Sequence, residues 1–325
     1  MWSVKRILLL LIGTLALAVA FIAAYAGGLH DPRPRDLPVG VVRDDAAADR
    51  LLTQVRERTT NLKAVEYDDA RAAGDALRRR KIYAILATSQ APGLSLTTAS
   101  GAGPAATEVI EETLNLAASA TGTSLAVADV VPVSEEDPRG LVPFYLVVGL
   151  VFGGYLASTA LGIGIGTVPP DLDDAAGRVG LLALFSALLG AAGAVIVGPI
   201  LDVWTDHLLG IGIAGALITF ATALVTSAVQ GWLGLLGTGL VLLVFVVLGN
   251  PGSGGIYAPE FLPGFFAGIH RWDIPGLGVS LIKGVGYFDR EATGWPVTAL
   301  VLWALVGLGG FLAAARLRRR PILPK

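Results

Sequence analysis

Six stretches of this chain are apolar almost without interruption. Each comes close to the ~20 residues that an α-helix needs to cross a bilayer. They cover residues 7–26, 141–165, 179–201, 208–229, 232–248 and 295–315. Between the first and the second, residues 28–140 have a different texture, with short apolar runs alternating with polar ones. Strands are predicted at 38–42, 63–67, 82–88, 95–98 and 125–133, and helices at 44–58, 68–80 and 104–119. Asp44 or Asp45 can cap the first of these helices, Asp68 and Asp69 open the second, and Pro104 opens the third. Strands alternating with helices predict a mixed sheet with helices packed on it. The fold class expected is therefore a mainly α membrane protein of about six transmembrane helices with an inserted α/β domain.

Only Gln230 and Gly231 separate the fourth and fifth runs, which predicts a tight helical hairpin with a short fifth member. Residues 250–294 are rich in glycine, proline and aromatics, among them Tyr257, Phe261, Phe265, Phe266, Trp272, Tyr287 and Phe288. A loop of that length without regular structure is uncommon. Its apolar pieces, 258–269 and 276–285, are too short to span and suit re-entrant or interfacial helices. Trp and Tyr favour the membrane interface. The first run also has signal-peptide features, with Lys5 and Arg6 ahead of it and Ala24-Tyr25-Ala26 at its end. Its apolar length exceeds that of the usual signal sequence, which favours an uncleaved anchor. The expected organisation is 1–27 first span, 28–140 domain, 141–250 spans two to five, 251–294 re-entrant segment, and 295–325 last span with a basic tail.

Composition supports the membrane reading. Hydrophobic residues make up 54% of the 325 and charged residues only 15%, against ~25% charged in soluble domains. Glycine, at 42 residues, has nearly twice its usual ~7% share, as closely packed membrane helices require. Lysine is scarce beside arginine while alanine and glycine dominate, as in a GC-rich bacterial genome. Lys5, Arg6, Arg178, Arg316, Arg318, Arg319, Arg320 and Lys325 would lie on one side of the membrane, and only Arg271, Lys283 and Arg290 in the short segments of the other. The positive-inside bias then predicts a multi-pass protein of the bacterial inner (plasma) membrane, with both termini cytoplasmic and the domain extracytoplasmic.

Several chemistries find no support. Net charge is −2, so no nucleic-acid partner is expected. There is no cysteine, which excludes disulfides, thiol catalysis and thiolate metal sites. His30, His207 and His270 are scattered without ligand spacing, and no metal or cofactor is expected. Neither a P-loop nor a G-x-S-x-G elbow occurs, so the chain is not expected to be an enzyme. The spans hold no internal acid or base, since Arg178, Asp202, Asp206 and His207 fall at predicted ends. That argues against an ion-coupled carrier. It leaves transport driven by a separate ATPase, or no transport at all.

Three local motifs have competing readings. Arg78-Arg79-Arg80-Lys81 is either an anionic-lipid or substrate patch or, more simply, a set of cations complementing a helix C-terminus. Gly101-Ala102-Gly103-Pro104 loosely resembles a dinucleotide fingerprint, but a glycine-rich turn before a helix suffices. Gly149 and Gly153, followed by Gly154, form a G-x-x-x-G that serves either self-association or packing within the chain.

The layout carries recognisable phrases. They are Leu37-Pro38-Val39-Gly40-Val41-Val42 followed by acids, Asp68-Asp69-Ala70, Lys81-Ile82-Tyr83-Ala84, Pro143-Phe144-Tyr145 leading to Gly153-Gly154-Tyr155-Leu156, and Asn250-Pro251-Gly252-Ser253-Gly254 followed by Pro259-Glu260-Phe261-Leu262-Pro263. Together they resemble ABC-2-type membrane permeases, in the branch that contains the phage infection protein family and related permease-like membrane proteins. The resemblance implies a homodimer or heterodimer of permease halves, a cytoplasmic ATPase subunit in trans, contact with membrane lipid, and export of an amphipathic or lipidic substrate. It also implies short re-entrant helices before the last span, making Asn250, Pro251, Ser253, Gly254, Pro259, Glu260 and Pro263 a candidate exit-gate segment. Glu260 there is expected to cap a short helix or to act as a gate. The loop after the second span, with Asp171, Asp173, Asp174 and Arg178, takes the place of the ATPase-coupling segment, but is shorter and more acidic than the amphipathic helix those permeases carry. The alternative is an envelope receptor or scaffold with a binding domain and no transport.

Overall fold

The computed structural model describes residues 4–89 and 92–318. Arg319, Arg320 and Lys325 of the basic tail lie outside the described residues.

The α/β domain begins with β1 (Leu37–Val42), α2 (Ala46–Arg58), β2 (Leu62–Tyr67) and α3 (Ala70–Arg78). It continues with β3 (Ala84–Thr88), β4 (Leu94–Thr98), α4 (Pro104–Ala120) and β5 (Leu125–Asp129). The strands form one mixed sheet in the order β2-β1-β3-β4-β5. β1 is parallel to β2 and β3, β4 is antiparallel to β3, and β5 is parallel to β4.

Side chains alternate between the sheet faces, as the strand period dictates. Leu37, Val39 and Val41 of β1 and Leu86 of β3 are buried with Leu52 of α2 and Ile110 and Leu114 of α4. Ile85 belongs to the opposite face, with Ala76 and Leu77 of α3. Asp45 caps α2 by accepting from Ala48 N at 3.1 Å. Its two oxygens also accept from Thr88 N and Thr88 Oγ1, each at 2.6 Å, joining the cap to β3. Asp69 caps α3 through Ala72 N at 2.7 Å. The last strand is shorter than its pattern predicts. Asp129 Oδ1 accepts from Ser100 N at 3.2 Å and Val131 N at 3.1 Å, turning the chain out of the sheet.

The helical body contains α1 (Val4–Leu29), α5 (Val142–Ile165), α6 (Leu172–Ile200), α7 (Leu208–Leu233) and α8 (Leu236–Gly252). It is completed by α9 (Gly264–Ile269), α10 (Ile274–Gly286) and α11 (Gly294–Leu317). Five of these, α1, α5, α6, α7 and α11, are long and apolar enough to cross a membrane. Their outer faces stay apolar and exposed, as at Leu9, Ile163, Leu188, Leu209 and Val306. Such surface fits contact with lipid rather than water.

α7 is the hub, with α5, α6, α10 and α11 packed around it. Glycine sets the closeness of these contacts. Gly154 of α5 lies against the Thr219 carbonyl of α7, and Gly190 of α6 against the Gly212 carbonyl, positions with no room for a side chain.

Three boundaries differ from the pattern-based expectation. α6 starts at Leu172 rather than 179, because Asp171 caps it by accepting from Asp174 N at 2.8 Å. The hairpin turns at Gly234, φ +65°, rather than at Gln230-Gly231. Gln230 stays helical because its amide is buried, donating to Thr159 Oγ1 at 3.0 Å and Thr238 Oγ1 at 2.9 Å. The fifth apolar run becomes α8, which is shorter than the five, is π-wound over Leu242–Gly249, and closes with the turn Asn250–Gly252. Widened turns of this kind occur often at functional sites.

One end of the body faces the domain: residues 203–207, between α6 and α7, share a cleft with 130–135 of the domain. At the other end Trp232 Nε1 donates to Gly310 O at 3.0 Å and Arg318 donates to Gly231 O at 3.1 Å. The segment after α8 grips the domain from both sides. Ala258 and Phe261 complete the core beneath α2 and α4, while Phe288 completes the core beneath α3.

Candidate functional site: a cationic cavity between domain and bundle

The sequence that ends α3 creates the site. The helix stops at Arg78, whose guanidinium pairs with Asp75 at the surface. Arg79 is the C-cap and lies 4.0 Å from Glu291. Arg80 then adopts φ +54° and leaves the helix direction. Its guanidinium donates to Ser280 O of α10 at 2.7 Å and to Ala292 O at 3.4 Å, and sits 5.5 Å above the Phe288 ring. Its Nε is buried with no hydrogen-bond partner. The arginine run is therefore not only a helix-end device, since one member reaches the membrane body.

Lys283 rises from the last turns of α10, one turn beyond Ser280, and is buried at 6% exposure. Its Nζ donates to Ala102 O of the domain at 3.1 Å and to Gly254 O at 3.4 Å. Neither Arg80 nor Lys283 forms a salt bridge among the described residues. Burial pushes the Lys283 ammonium down to about 8, with Arg80 adding repulsion and Asp137 and Glu260 opposing it. Burial likewise lowers Arg80 to about 10.

Both side chains line a cavity of about 860 Å³ between the domain, the segment after α8 and the start of α11. Glu260 lies on its wall, and Oε2 accepts from Tyr83 OH at 2.8 Å. Burial, together with the Glu260 charge, pushes the Tyr83 phenol well up, so it stays a donor. The Glu260 carbonyl accepts from Arg35 N at 3.1 Å, fixing the turn to the chain that enters the domain. His270 Nδ1 bonds Ser253 O at 3.0 Å. Burial lowers this imidazole to about 4, so it is neutral and Nδ1–H donates. On the bundle side, Trp272 and Trp295 meet edge to face at 5.1 Å. The Trp295 indole donates to Arg271 O at 3.1 Å, and the Trp303 indole donates to the backbone carbonyl of Trp272 at 2.8 Å.

The gate candidates are divided by the structure. Gly254, Pro259 and Glu260 line the cavity. Asn250 and Pro251 are in the last turn of α8, where Asn250 Nδ2 donates to Tyr25 OH at 3.1 Å and fastens α1. Ser253 Oγ bonds back to Asn250 O at 2.7 Å. Pro263 is exposed ahead of α9. Glu260 caps no α-helix; it sits in the 3-10 turn Pro259–Phe261 and pairs with Tyr83 instead.

The coupling candidates lie at the far end of the body and bond within the chain. Asp171 caps α6, while Asp173 and Asp174 occupy its first turn, inside the helix rather than in a loop. Arg178 is also helical, bonding Asp174 Oδ2 at 2.7 Å, Gly166 O at 2.6 Å and Ile165 O at 3.2 Å. Among the described residues no separate helix intervenes between Ile165 and Leu172. Of the packing candidates, Gly149 faces open space, Gly153 meets Leu189 of α6, and Gly154 meets α7. The glycine-rich turn at Gly101 admits the Tyr287 side chain, which a Cβ there would approach to 3.0 Å. Gly101 makes room for the segment after α10, and Gly103 lies against Tyr83 and Ala258.

The sequence offered one signal for the site. Lys283 stands alone in an apolar helix, and such a charge is costly unless it has a role. Nothing in the sequence separates Arg80 from its neighbours, and Tyr83 reads as an ordinary strand residue.

No family model, no curated protein and no solved structure matches this chain.

Proposed function

We propose that this chain is an ABC-2-type, permease-like membrane subunit that passes an amphipathic or lipidic substrate across the membrane, driven by an ATPase in trans. In this reading α8 is a sixth span, both termini are cytoplasmic, and the α/β domain is extracytoplasmic at the bacterial inner membrane. The observation that carries the proposal is the cavity of about 860 Å³ at the domain-facing end of the body. It is polar and cationic on the domain side and bounded by Trp272 and Trp295 on the other. Paired tryptophans suit the headgroup level of a bilayer, so a substrate can keep its polar end in the cavity and its apolar part in the membrane. Charged residues of the spans stand only near helix ends, as Asp173, Asp174 and Arg178 do in the first turns of α6, which gives ion coupling no support and favours a partner as the energy source.

Purification of the full chain in mild detergent, followed by mass spectrometry of associated subunits and lipids, tests this. An ATPase subunit and a retained amphiphile are expected; recovery of neither contradicts the reading. The second reading is an envelope receptor or scaffold, and it is favoured by the short, internally bonded turn between α5 and α6. Recovery of a bound envelope component without any ATPase supports that reading instead.

A further inference from the structure

The charge balance of the cavity is lopsided. Arg79, Arg80, Lys81, Arg271 and Lys283 line it, against the single carboxylate of Glu260; Arg79 is paired with Glu291, which leaves four cations to one carboxylate. That carboxylate accepts from Tyr83, and among the described residues it forms no salt bridge with any of these cations. The two deepest cations, Arg80 and Lys283, bond only to backbone carbonyls. Cations taken out of water without a directly paired counter-charge are expensive to keep, and Glu260 and Asp137 favour the Lys283 charge without forming a salt bridge to it. Carbonyl dipoles offset part of this cost, and Arg80 still leaves its buried Nε unused. An ion with several acceptor oxygens would satisfy such an arrangement, because a guanidinium fork and a nearby ammonium match the geometry of a phosphate.

We propose that this cavity binds the anionic, phosphate-type headgroup of a membrane lipid or lipid-like amphiphile, with Arg80 and Lys283 as the inner contacts and Lys81 and Arg271 at the rim. The proposal rests on the reading of the cavity as the substrate site and adds the charge class of the substrate. The wall formed by Trp272, Trp295 and Pro296 is where the lipid-facing helix α11 begins, giving the apolar part a direct way into the bilayer. The anion source is therefore a lipid rather than a soluble phosphate. The competing role for the same cations is purely structural: two struts tying α3 and the Ala102 turn to α10.

The test titrates the purified full chain with phosphatidylglycerol, phosphatidylcholine and inorganic phosphate, reading binding by native mass spectrometry and melting temperature. Phosphatidylglycerol is expected to bind about tenfold more tightly than phosphatidylcholine, with inorganic phosphate far weaker than either. Lys283→Met should erase that preference. Lys81→Gln with Arg271→Gln, both exposed and free of core packing, should keep the fold, reduce the preference several-fold and lessen its salt sensitivity. These rim variants carry the test if Lys283→Met fails to fold. Equal binding of the two lipids overturns the charge assignment and leaves the amphiphile reading standing. Binding of neither lipid overturns both. Inorganic phosphate binding as tightly as phosphatidylglycerol overturns the lipid source. A lowered melting temperature in Lys283→Met with the lipid preference intact assigns the cations to the strut role and rejects the proposal.

Discussion

Two glycines on α5, Gly149 and Gly154, give the packing scheme a test of opposite signs. Adding a methyl group at 154 would place a carbon 3.1 Å from Thr222 Cβ, 3.3 Å from Ala223 N, and closer still to the Thr219 carbonyl oxygen. Ordinary carbon contacts begin near 3.5 Å, and the obstacle here is the backbone of α7, which cannot swing aside as a side chain can. Gly154→Ala therefore forces α5 away from the hub. Overpacking of this kind costs about 1–3 kcal/mol. A Cβ at 149 meets nothing within 4 Å. There only the intrinsic preference of a helix for alanine over glycine remains, roughly 1 kcal/mol. That preference applies equally to both variants and cancels in their difference, so Gly149→Ala should exceed Gly154→Ala in stability by about 1–3 kcal/mol. Thermal unfolding in one detergent, with size-exclusion chromatography beside it, measures both stability and oligomeric state. If Gly149→Ala breaks up an oligomer, or if Gly154→Ala is as stable as Gly149→Ala, the glycine motif works between chains and the reasoning fails.

The other predictions address the junction and the orientation. Phe288→Ala removes a side chain that closes the domain core beneath α3 and underlies Arg80; a loss of about 3–5 kcal/mol is expected, measured by thermal unfolding, and a change near zero would mean that the domain does not depend on this contact. Lys283 binds its proton less tightly folded, at about 8, than at its ordinary 10.5. Between those values the unfolded chain carries the extra proton, so stability without an anion should rise with pH across that window, relative to Lys283→Met. Over the same rise the phosphatidylglycerol preference should fade as the ammonium is lost, and near the top of the window Arg80, lowered to about 10, loses its charge as well and removes the rest of the preference. A flat difference from Lys283→Met would contradict the buried-cation account. A reporter active only in the cytoplasm should work when fused after Lys325 and stay silent when inserted near Ser100; activity at both positions overturns the six-span arrangement.

Much of the fold is legible in the sequence because it depends on local rules. The strand at β1 follows from its β-branched run, α2 and α3 from Asp45 and Asp69 at their starts, and α4 from Pro104. The five long apolar helices follow from hydropathy, while the start of α6 is set by the Asp171 cap. What sequence does not give is the long-range closure. Phe261 and Phe288 read as interfacial aromatics, yet they finish the core of a domain that precedes them by more than a hundred residues. Gln230 looked like a turn residue between two apolar runs, but its amide is satisfied by Thr159 and Thr238, which only the bundle brings near. The site is harder still to read. Arg80 differs from Arg78 and Arg79 only through a positive φ that reverses its direction, and Glu260 acquires its partner Tyr83 from a strand far away in sequence.

The central claim is that an amphiphile seats its polar end between the domain and α10. Photo-crosslinking measures this most directly: the purified chain is reconstituted with a phosphatidylglycerol analogue bearing a photoreactive group at its headgroup, and the adducts are mapped by mass spectrometry. The account predicts adducts concentrated on the cavity lining, at Arg80, Tyr83, Trp272 and Lys283, and suppressed by unlabelled phosphatidylglycerol. Adducts confined to the lipid-facing surfaces of α1, α6 and α11, with none in the cavity, would contradict it.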